Sequence, residues 1–358
     1  MIRVLVADDS PTARALLVAL LSSEADIRVV GEAKNGQEAV TMAESLAPDL
    51  ITMDVQMPVM DGLEATKQIM MRSPRPIIII SSTARDDEVQ LSLEATRSGA
   101  LMVLPKPEGP SSPGYAFDRR QIVSMTRAMS QVKVVRRHGA VSSAPIPTPA
   151  SRPAYRPPAP SRTTGQTESV RLVAIAASTG GPAAIRTILA DLPRSFPVPI
   201  LLVQHIAHGF TSGLAKWLAG DTPLRVKIAE LGEPALEGTV FIAPDELHLG
   251  CRMDTAGMIR ITLDSAPPDG AFRPSASYLF RSVAETLGPS SLSLILTGMG
   301  DDGVSGLRAV KVAGGRIWAQ DEASSVIYGM PREAVRAGVV DSVISLGSVA
   351  RRLREVVS

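Results

Sequence analysis

Residues 175–182 read IAASTGGP. They close the apolar run LVAIAA at 172–177 and lead into helical spacing from Pro182 onward. A strand that turns through glycines into a helix is the building unit of an α/β fold, where helices cover both faces of a parallel sheet. The turn itself has two readings. Ser178 is a polar cap on the following helix. Alternatively it is a nucleophile at the mouth of a sheet, where glycines let backbone approach a substrate and free helix N–H groups favour negative charge. It is not a Gly-x-Ser-x-Gly elbow, because Ala176 occupies the first glycine position.

The same alternation extends in both directions. Downstream, strands are predicted at 172–176, 200–203, 240–243, 259–263, 292–296 and 316–320, with helices at 182–190, 275–287, 303–313 and 348–357. Residues 169–358 thus read as a mostly parallel, doubly wound α/β domain. Upstream lies GAVSSAPIPTPASRPAYRPPAPSRTTGQTE, residues 139–168. Proline is dense there and apolar periodicity is absent, so the segment reads as a semi-rigid linker, with Arg152, Arg156 and Arg162 read as solubilising it ahead of the alternative of binding an acidic partner. Residues 1–138 form another α/β unit, with strands at 2–7, 27–33, 50–53, 77–81 and 101–104. Its helices include 12–22, 36–46 and a last one over 118–138.

Bulk properties narrow the function classes. The chain has 358 residues, enough for two domains, and a formal net charge of +1. That balance gives no field for nucleic acid, and no DNA-binding segment follows the linker. One cysteine, Cys251, excludes an intramolecular disulfide and any Cys-rich metal site. No apolar run is long enough for a bilayer, and MIRVLVADDS lacks a signal-peptide pattern. A cytoplasmic protein without membrane insertion is expected.

In the first domain the strand ends carry chemistry. Asp8 and Asp9 follow the first strand, Asp54 the third, and Lys106 the fifth; Ser81 ends the fourth. The carboxyl ends of parallel strands form the ligand crevice. Gathered carboxylates there need a cation, and an all-oxygen donor set suits Mg²⁺ with phosphate as co-ligand. With a lysine and a hydroxyl beside them, they suit phosphoryl transfer to a carboxylate. The set Asp8–Asp9, Asp54 with Met57–Pro58 and Asp61–Gly62, Ser81, and Lys106–Pro107 resembles the receiver domain of two-component response regulators. The resemblance implies a flavodoxin-like sheet and Asp54 as phospho-acceptor. It also implies that Asp8, Asp9, Asp54 and the Gln56 carbonyl hold Mg²⁺, and that Ser81 and Lys106 contact the phosphoryl group. Val103 stands where receivers often carry an aromatic switch residue.

In the second domain a serine nucleophile needs a base. Of four histidines, His138 adjoins the linker, His208 lies in a loop, and His248 sits near a turn. His205, in ILLVQHIAHGF, follows directly on a strand and so shares the strand-end edge with Ser178. An orienting carboxylate is offered by SLILTGMGDDGVSG, where Asp301 and Asp302 follow another strand. That stretch also reads as a glycine-rich turn with a capping Asp, or as a nucleotide loop, although it lacks a Walker lysine and a Gly-x-Gly-x-x-Gly fingerprint. A serine–histidine–aspartate site accounts for three strand ends together. Its chain order of Ser, His, Asp differs from the α/β-hydrolase order.

The stretches ASTGGP, VQH, FIAP, FRPSASYLFRSVA and LTGMGDDG, in that order, resemble the CheB-type chemotaxis protein-glutamate methylesterases over nearly the whole chain. The resemblance implies Ser178 as nucleophile, His205 as general base and acid, and Asp302 as the residue orienting His205. The backbone amides of Met299 and Thr179 would form the oxyanion site. It further implies methylated glutamates of chemoreceptor cytoplasmic domains as substrate, deamidation of receptor glutamines, a histidine kinase as phosphodonor, and an esterase site without cofactor. Two positions depart from the pattern: Ala176 replaces a glycine, and Ser277 an acidic residue. His248 and Arg273 are candidates either for the substrate groove or for structural roles. The rival function is a catalytically inactive response regulator that binds receptors.

Overall fold

The computed structural model describes residues 1–82, 86–132, 134, 169–270 and 272–357. The first domain runs β1 (Ile2–Ala7), α1 (Pro11–Ser22), β2 (Ile27–Ala33), α2 (Gly36–Leu46), β3 (Leu50–Met53), α3 (Gly62–Arg72), β4 (Ile77–Ser81), α4 (Asp86–Ser98), β5 (Met102–Pro105) and α5 (Tyr115–Met129). Its five strands pair in parallel in the order β2-β1-β3-β4-β5. Strand side chains alternate between faces. Leu5, Ile51, Met53, Ile77 and Ile79 pack into one core, while Val4, Val6, Leu50, Ile78 and Ile80 meet Leu17, Leu20, Ile122 and Val123 in another. Short polar caps start the helices just past the strand ends. Ser10 accepts from the Ala13 N–H, Asn35 from Glu38 and Asp61 from Glu64, so each helix begins at the ligand edge.

The helix expected over 118–138 begins earlier and stops at Met129. The Ser130 N–H closes it on Thr126 O and Ala128 O, and residues 133 and 135–138 of the expected helix lie outside the described residues. The linker, residues 139–168, lies outside the described residues.

The second domain runs β6 (Leu172–Ala177), α6 (Gly181–Ala190), β7 (Ile200–Gln204), α7 (Thr211–Asp221), β8 (Arg225–Ile228), β9 (Thr239–Ile242), β10 (His248–Met253), β11 (Ile259–Asp264), α8 (Ala276–Leu287), β12 (Ser291–Ile295), α9 (Val304–Val312), β13 (Arg316–Gln320), α10 (Met330–Arg336), β14 (Ser342–Ile344) and α11 (Leu346–Val357). Seven strands pair in parallel in the order β14-β13-β12-β6-β7-β9-β8. One face packs Ile185, Ile188, Leu214, Val349 and Leu353; the other packs Leu279, Phe280, Val283 and Leu307. The strand expected at 259–263 is not in this sheet. It is β11, antiparallel to β10 in a separate two-stranded ribbon. The apolar pattern was that of a strand, and strand pattern alone does not choose a partner.

The chain builds outward from β6 through β7, then crosses to β12 on the far side of β6. Such a reversal opens a crevice beyond the carboxyl ends of the neighbouring strands. The two domains touch near that edge. Helix α4 lies against α6 and α7, and one apolar cluster runs from Val89 and Leu93 to Phe210 and Leu214. The Gln90 side chain donates to Gly213 O at 2.9 Å, and Arg97 pairs with Asp221 at 3.5 Å. Val326 and Ile327, from the loop between β13 and α10, pack against the other core of the first domain.

Candidate active site and phosphoryl site

In the first domain the strand ends gather the expected residues. One carboxylate oxygen from each of Asp8, Asp9 and Asp54 lies within 4.8 Å of the others. Asp8 and Asp54 are buried and Asp9 is exposed. The Lys106 ammonium bonds Asp54 Oδ2 at 2.7 Å and lies 3.0 Å from Asp8 Oδ2, without hydrogen-bond alignment to Asp8. Asp54 Oδ1 accepts from the Val55 N–H at 2.7 Å. Burial pushes the Asp54 carboxyl up to about 6 against the pull of Lys106, with Asp8 adding to the rise. Burial opposes the Lys106 charge, yet Asp54 and Asp8 outweigh it and raise the ammonium above its ordinary value. A buried Asp8 oxygen with no aligned partner, beside two further carboxylates, fits a hard cation such as Mg²⁺. Ser81 ends β4, buried, and its carbonyl accepts from the Lys106 N–H at 2.9 Å. Gln56 follows Asp54 in the turn before α3. Gly62 is needed there, because a Cβ would stand 1.9 Å from Asp54 O. Val103 lies buried on β5 opposite Ile79.

In the second domain, Ser178 and His205 are the first residues past the paired ends of β6 and β7, where Ala177 faces Gln204. The Ser178 N–H donates to Thr297 O and the His205 N–H to Ala177 O. Gln204 is buried, and its side chain donates to both Ser178 O and His205 O at 2.8 Å. Gly180 holds a left-handed conformation at φ 76° as the cap of α6, and its Cβ would stand 2.6 Å from Val326. The Thr297 hydroxyl donates to Thr179 O and accepts from the Ile327 N–H. Gly298 is anchored to Ile327, Gly329 and Met330, and a Cβ on it would meet Ser178 Cβ at 2.7 Å. These bonds carry the Met299 backbone past the serine.

Asp302 arrives from the loop after β12, on the other side of β6. Its Oδ2 lies 2.9 Å from His205 Nε2, at an angle that gives no aligned hydrogen bond. The same carboxylate caps α8: Oδ1 accepts from Ser275 Oγ and Ser277 N, and Oδ2 from Ala276 N. Burial works against its charge, but His205 and the N–H groups of Ala276 and Ser277 hold the carboxyl down to about 2. His205 also stacks flat on Phe272, ring centres 4.1 Å apart. No hydrogen bond joins Ser178 to His205, whose second nitrogen is buried without a partner among the described residues. In resting sites such bonds are often long.

The other singled-out residues separate here. His248 is fully buried and bonded to backbone through both ring nitrogens, so it does not line a groove. Arg273 pairs with Glu246 and bonds Ser265 O and Ala266 O, which makes it a tie between loops. Ser277 accepts from the Gly303 N–H at 2.8 Å, fixing the loop that carries Asp302. Asp301 is exposed, whereas Asp302 is buried. The sequence reading did not single out Phe272, Gln204 or Thr297. The only signal for Phe272 and Gln204 was adjacency to the Arg-Pro-Ser run and to His205.

Comparisons with known proteins bear on both domains. A CheB methylesterase family model matches residues 173–353, and a response regulator receiver domain model matches residues 4–112. A protein-glutamate methylesterase/protein-glutamine glutaminase of Myxococcus xanthus is 51% identical, over 98% of this chain and 96% of its own. One of Anaeromyxobacter dehalogenans is 48% identical, over 99% and 98%. Among solved structures, the Thermotoga maritima CheB methylesterase catalytic domain matches with a TM-score of 0.51 at 37% identity, covering 52% of this chain and 98% of that one. With both domains matched and relatives similar from end to end, the chain belongs to the CheB family, response regulators whose output domain is a protein-glutamate methylesterase.

Proposed function

We propose that the chain removes methyl esters from glutamate side chains of chemoreceptor cytoplasmic domains by a serine–histidine–aspartate mechanism, switched on by phosphorylation of Asp54. The observation that carries this reading is the convergence of Ser178, His205 and Asp302 from three neighbouring strand ends, with Asp302 2.9 Å from His205. As Ser178 Oγ attacks the ester carbonyl, the His205 nitrogen turned away from Asp302 takes its proton. The oxyanion forms against the backbone N–H groups of Met299 and Thr179 and the N-terminus of α6. Asp302 stabilises the imidazolium. His205 returns the proton to the departing methanol, then activates the water that frees glutamate and regenerates Ser178. With glutamine the leaving group is ammonia, which makes the same site a deamidase. The side chains present complete this route without a cofactor.

Receivers in general bind Mg²⁺ for phosphorylation, and Asp8, Asp9, Asp54 and the Gln56 carbonyl would hold it here. When bound it neutralises charge on the phosphoryl group being transferred. Asp54 accepts that group from a histidine kinase; Lys106 and Ser81 hold it. The proposed switch is relief of coverage. Helix α4, which starts beyond β4, packs on the helix that follows the nucleophile, and phosphorylation would loosen that packing. The proposed location is cytoplasmic; no helix among the described residues is long and apolar enough to cross a membrane.

The test is methanol release from a methylated receptor cytoplasmic fragment, with and without Mg²⁺ and a small phosphodonor. Release should vanish in Ser178→Ala and should lose its phosphodonor response in Asp54→Ala. No release from folded, phosphorylated protein on several receptor fragments would favour an inactive receptor-binding regulator.

A further inference from the structure

We propose that His248 is a positioning residue for the esterase reaction, holding Ser275 so that its hydroxyl aims Asp302 at His205. This rests on the reading of Ser178, His205 and Asp302 as the catalytic set. His248 is fully buried at the start of β10 and has no contact with the substrate edge in its bonding. Its Nδ1 accepts the Ser275 N–H at 3.2 Å, so the ring is neutral at that nitrogen. The proton therefore sits on Nε2, which donates to Pro267 O at 3.2 Å. The ring stacks on Tyr278, centres 4.6 Å apart and planes 15° from parallel. The Tyr278 phenol donates in turn to Asp264 Oδ2, and Asp264 is the residue opposite His248 in the ribbon. One imidazole thus fixes the ribbon, the loop through Pro267 and the start of α8 to one another.

The consequence lies one residue further on. Ser275, whose N–H is held by His248, sends its hydroxyl to Asp302 Oδ1 at 3.0 Å. Ser277 N reaches the same oxygen at 3.0 Å. Two donors on Oδ1 and the Ala276 N–H on Oδ2 set the tilt of the carboxylate. That tilt decides which lone pair meets His205 Nε2, 2.9 Å away. A buried histidine bonded at both nitrogens is usually a packing residue. Here one of its two bonds ends on the residue whose side chain aims the catalytic carboxylate, so losing it moves Asp302 as well as loosening the loop. The path His248, Ser275, Asp302, His205 uses only direct bonds and close contacts.

Substitutions separate the two nitrogens. Asn places its Oδ1 where Nδ1 stood and keeps an acceptor for Ser275. Gln keeps a donor toward Pro267 and loses that acceptor. The experiment measures methanol release from a methylated receptor cytoplasmic fragment by the full chain, with Mg²⁺ and a small phosphodonor present. His248→Gln should lower kcat about tenfold with KM within about twofold, while His248→Asn stays within about threefold of the parent. In an Asp302→Asn background, His248→Gln should cost no further activity, since the residue through which it acts is already disabled. If His248→Phe fails to fold, the Asn and Gln pair still decides. Equal losses in Asn and Gln, a loss confined to KM, or an undiminished loss in the Asp302→Asn background would overturn the proposal. If the parent chain shows no Ser178-dependent release, the esterase reading itself falls, an outcome distinct from an active parent indifferent to His248.

Discussion

Asp54 and Asp302 are both buried carboxylates, and their surroundings drive them in opposite directions. Asp54 meets one ammonium and a second carboxylate, so burial dominates and its carboxyl rises to about 6. Between about pH 4 and 6 the folded first domain then binds more protons than the unfolded chain, and stability falls as pH rises through that window. Asp54→Asn should accordingly stabilise the metal-free domain at pH 7 by about 2–3 kcal/mol. Urea unfolding in EDTA checks this, and an unchanged or lower midpoint would refute the burial argument. Asp302 has the His205 ring beside it and three hydrogen-bond donors, so its carboxyl falls to about 2 despite burial. Its contribution is complete above the unfolded value near 4 and is lost as pH falls through about 2, amounting to about 2 kcal/mol. Asp302→Asn should lack that acid-dependent portion. Parallel stability-versus-pH curves for the two proteins below pH 4 would show that the carboxylate is not held as its bonds imply.

At the scale of elements, the strand ends were legible in the sequence and the bonds between them were not. Asp8, Asp54, Lys106, Ser178, His205 and Asp302 each follow a short apolar run, and parallel sheets place such residues on one edge. Phe272 escaped, and His248 stayed open between groove and structural roles, because what they do depends on contacts with residues far away in the chain. Only the sight of Pro267 and Ser275 at its nitrogens decides between those two roles for His248. The ribbon β10–β11 was equally hidden, since alternation marks a strand without naming its neighbour. The glycines after Ser178 were legible as a turn, but only packing says which of them is indispensable. A Cβ at Gly181 would stand 2.0 Å from Gln204 Oε1 and 2.8 Å from Ala177 Cβ. Gly181→Ala should therefore displace Gln204, which holds both Ser178 O and His205 O. We expect a stability loss of about 1–3 kcal/mol and an activity loss of tenfold or more, on the order of what a 1 Å misplacement costs. Gly220→Ala in α7, with no atom near its Cβ, is the matched control. It should keep full activity and gain up to about 1 kcal/mol. Similar behaviour of the two variants would mean that the turn tolerates the methyl group.

For the whole molecule, the interface between α4 and α7 is where the proposed switch would act on the proposed site. The cores of the two domains are continuous there, through Val89, Leu93, Phe210 and Leu214. The close approach depends on Gly213, where an added Cβ would lie 2.1 Å from Val89 Cγ1, while Gln90 bonds the Gly213 carbonyl. Gly213 makes none of the bonds to Ser178, His205 or Asp302 described above, so a larger residue there should part the domains while leaving those bonds in place. Gly213→Leu is expected to raise methanol release in the absence of phosphodonor, towards the level reached by deleting residues 1–138. It should have little effect in that truncated chain, where α4 is absent. Calorimetry supplies an independent reading: a shared core couples unfolding of the two domains, and Gly213→Leu should resolve it into two transitions. An unchanged basal rate together with two transitions would separate the domains physically yet leave the site closed. Coverage by the first domain would then not be what restrains the enzyme, and phosphorylation would have to act through the catalytic domain itself.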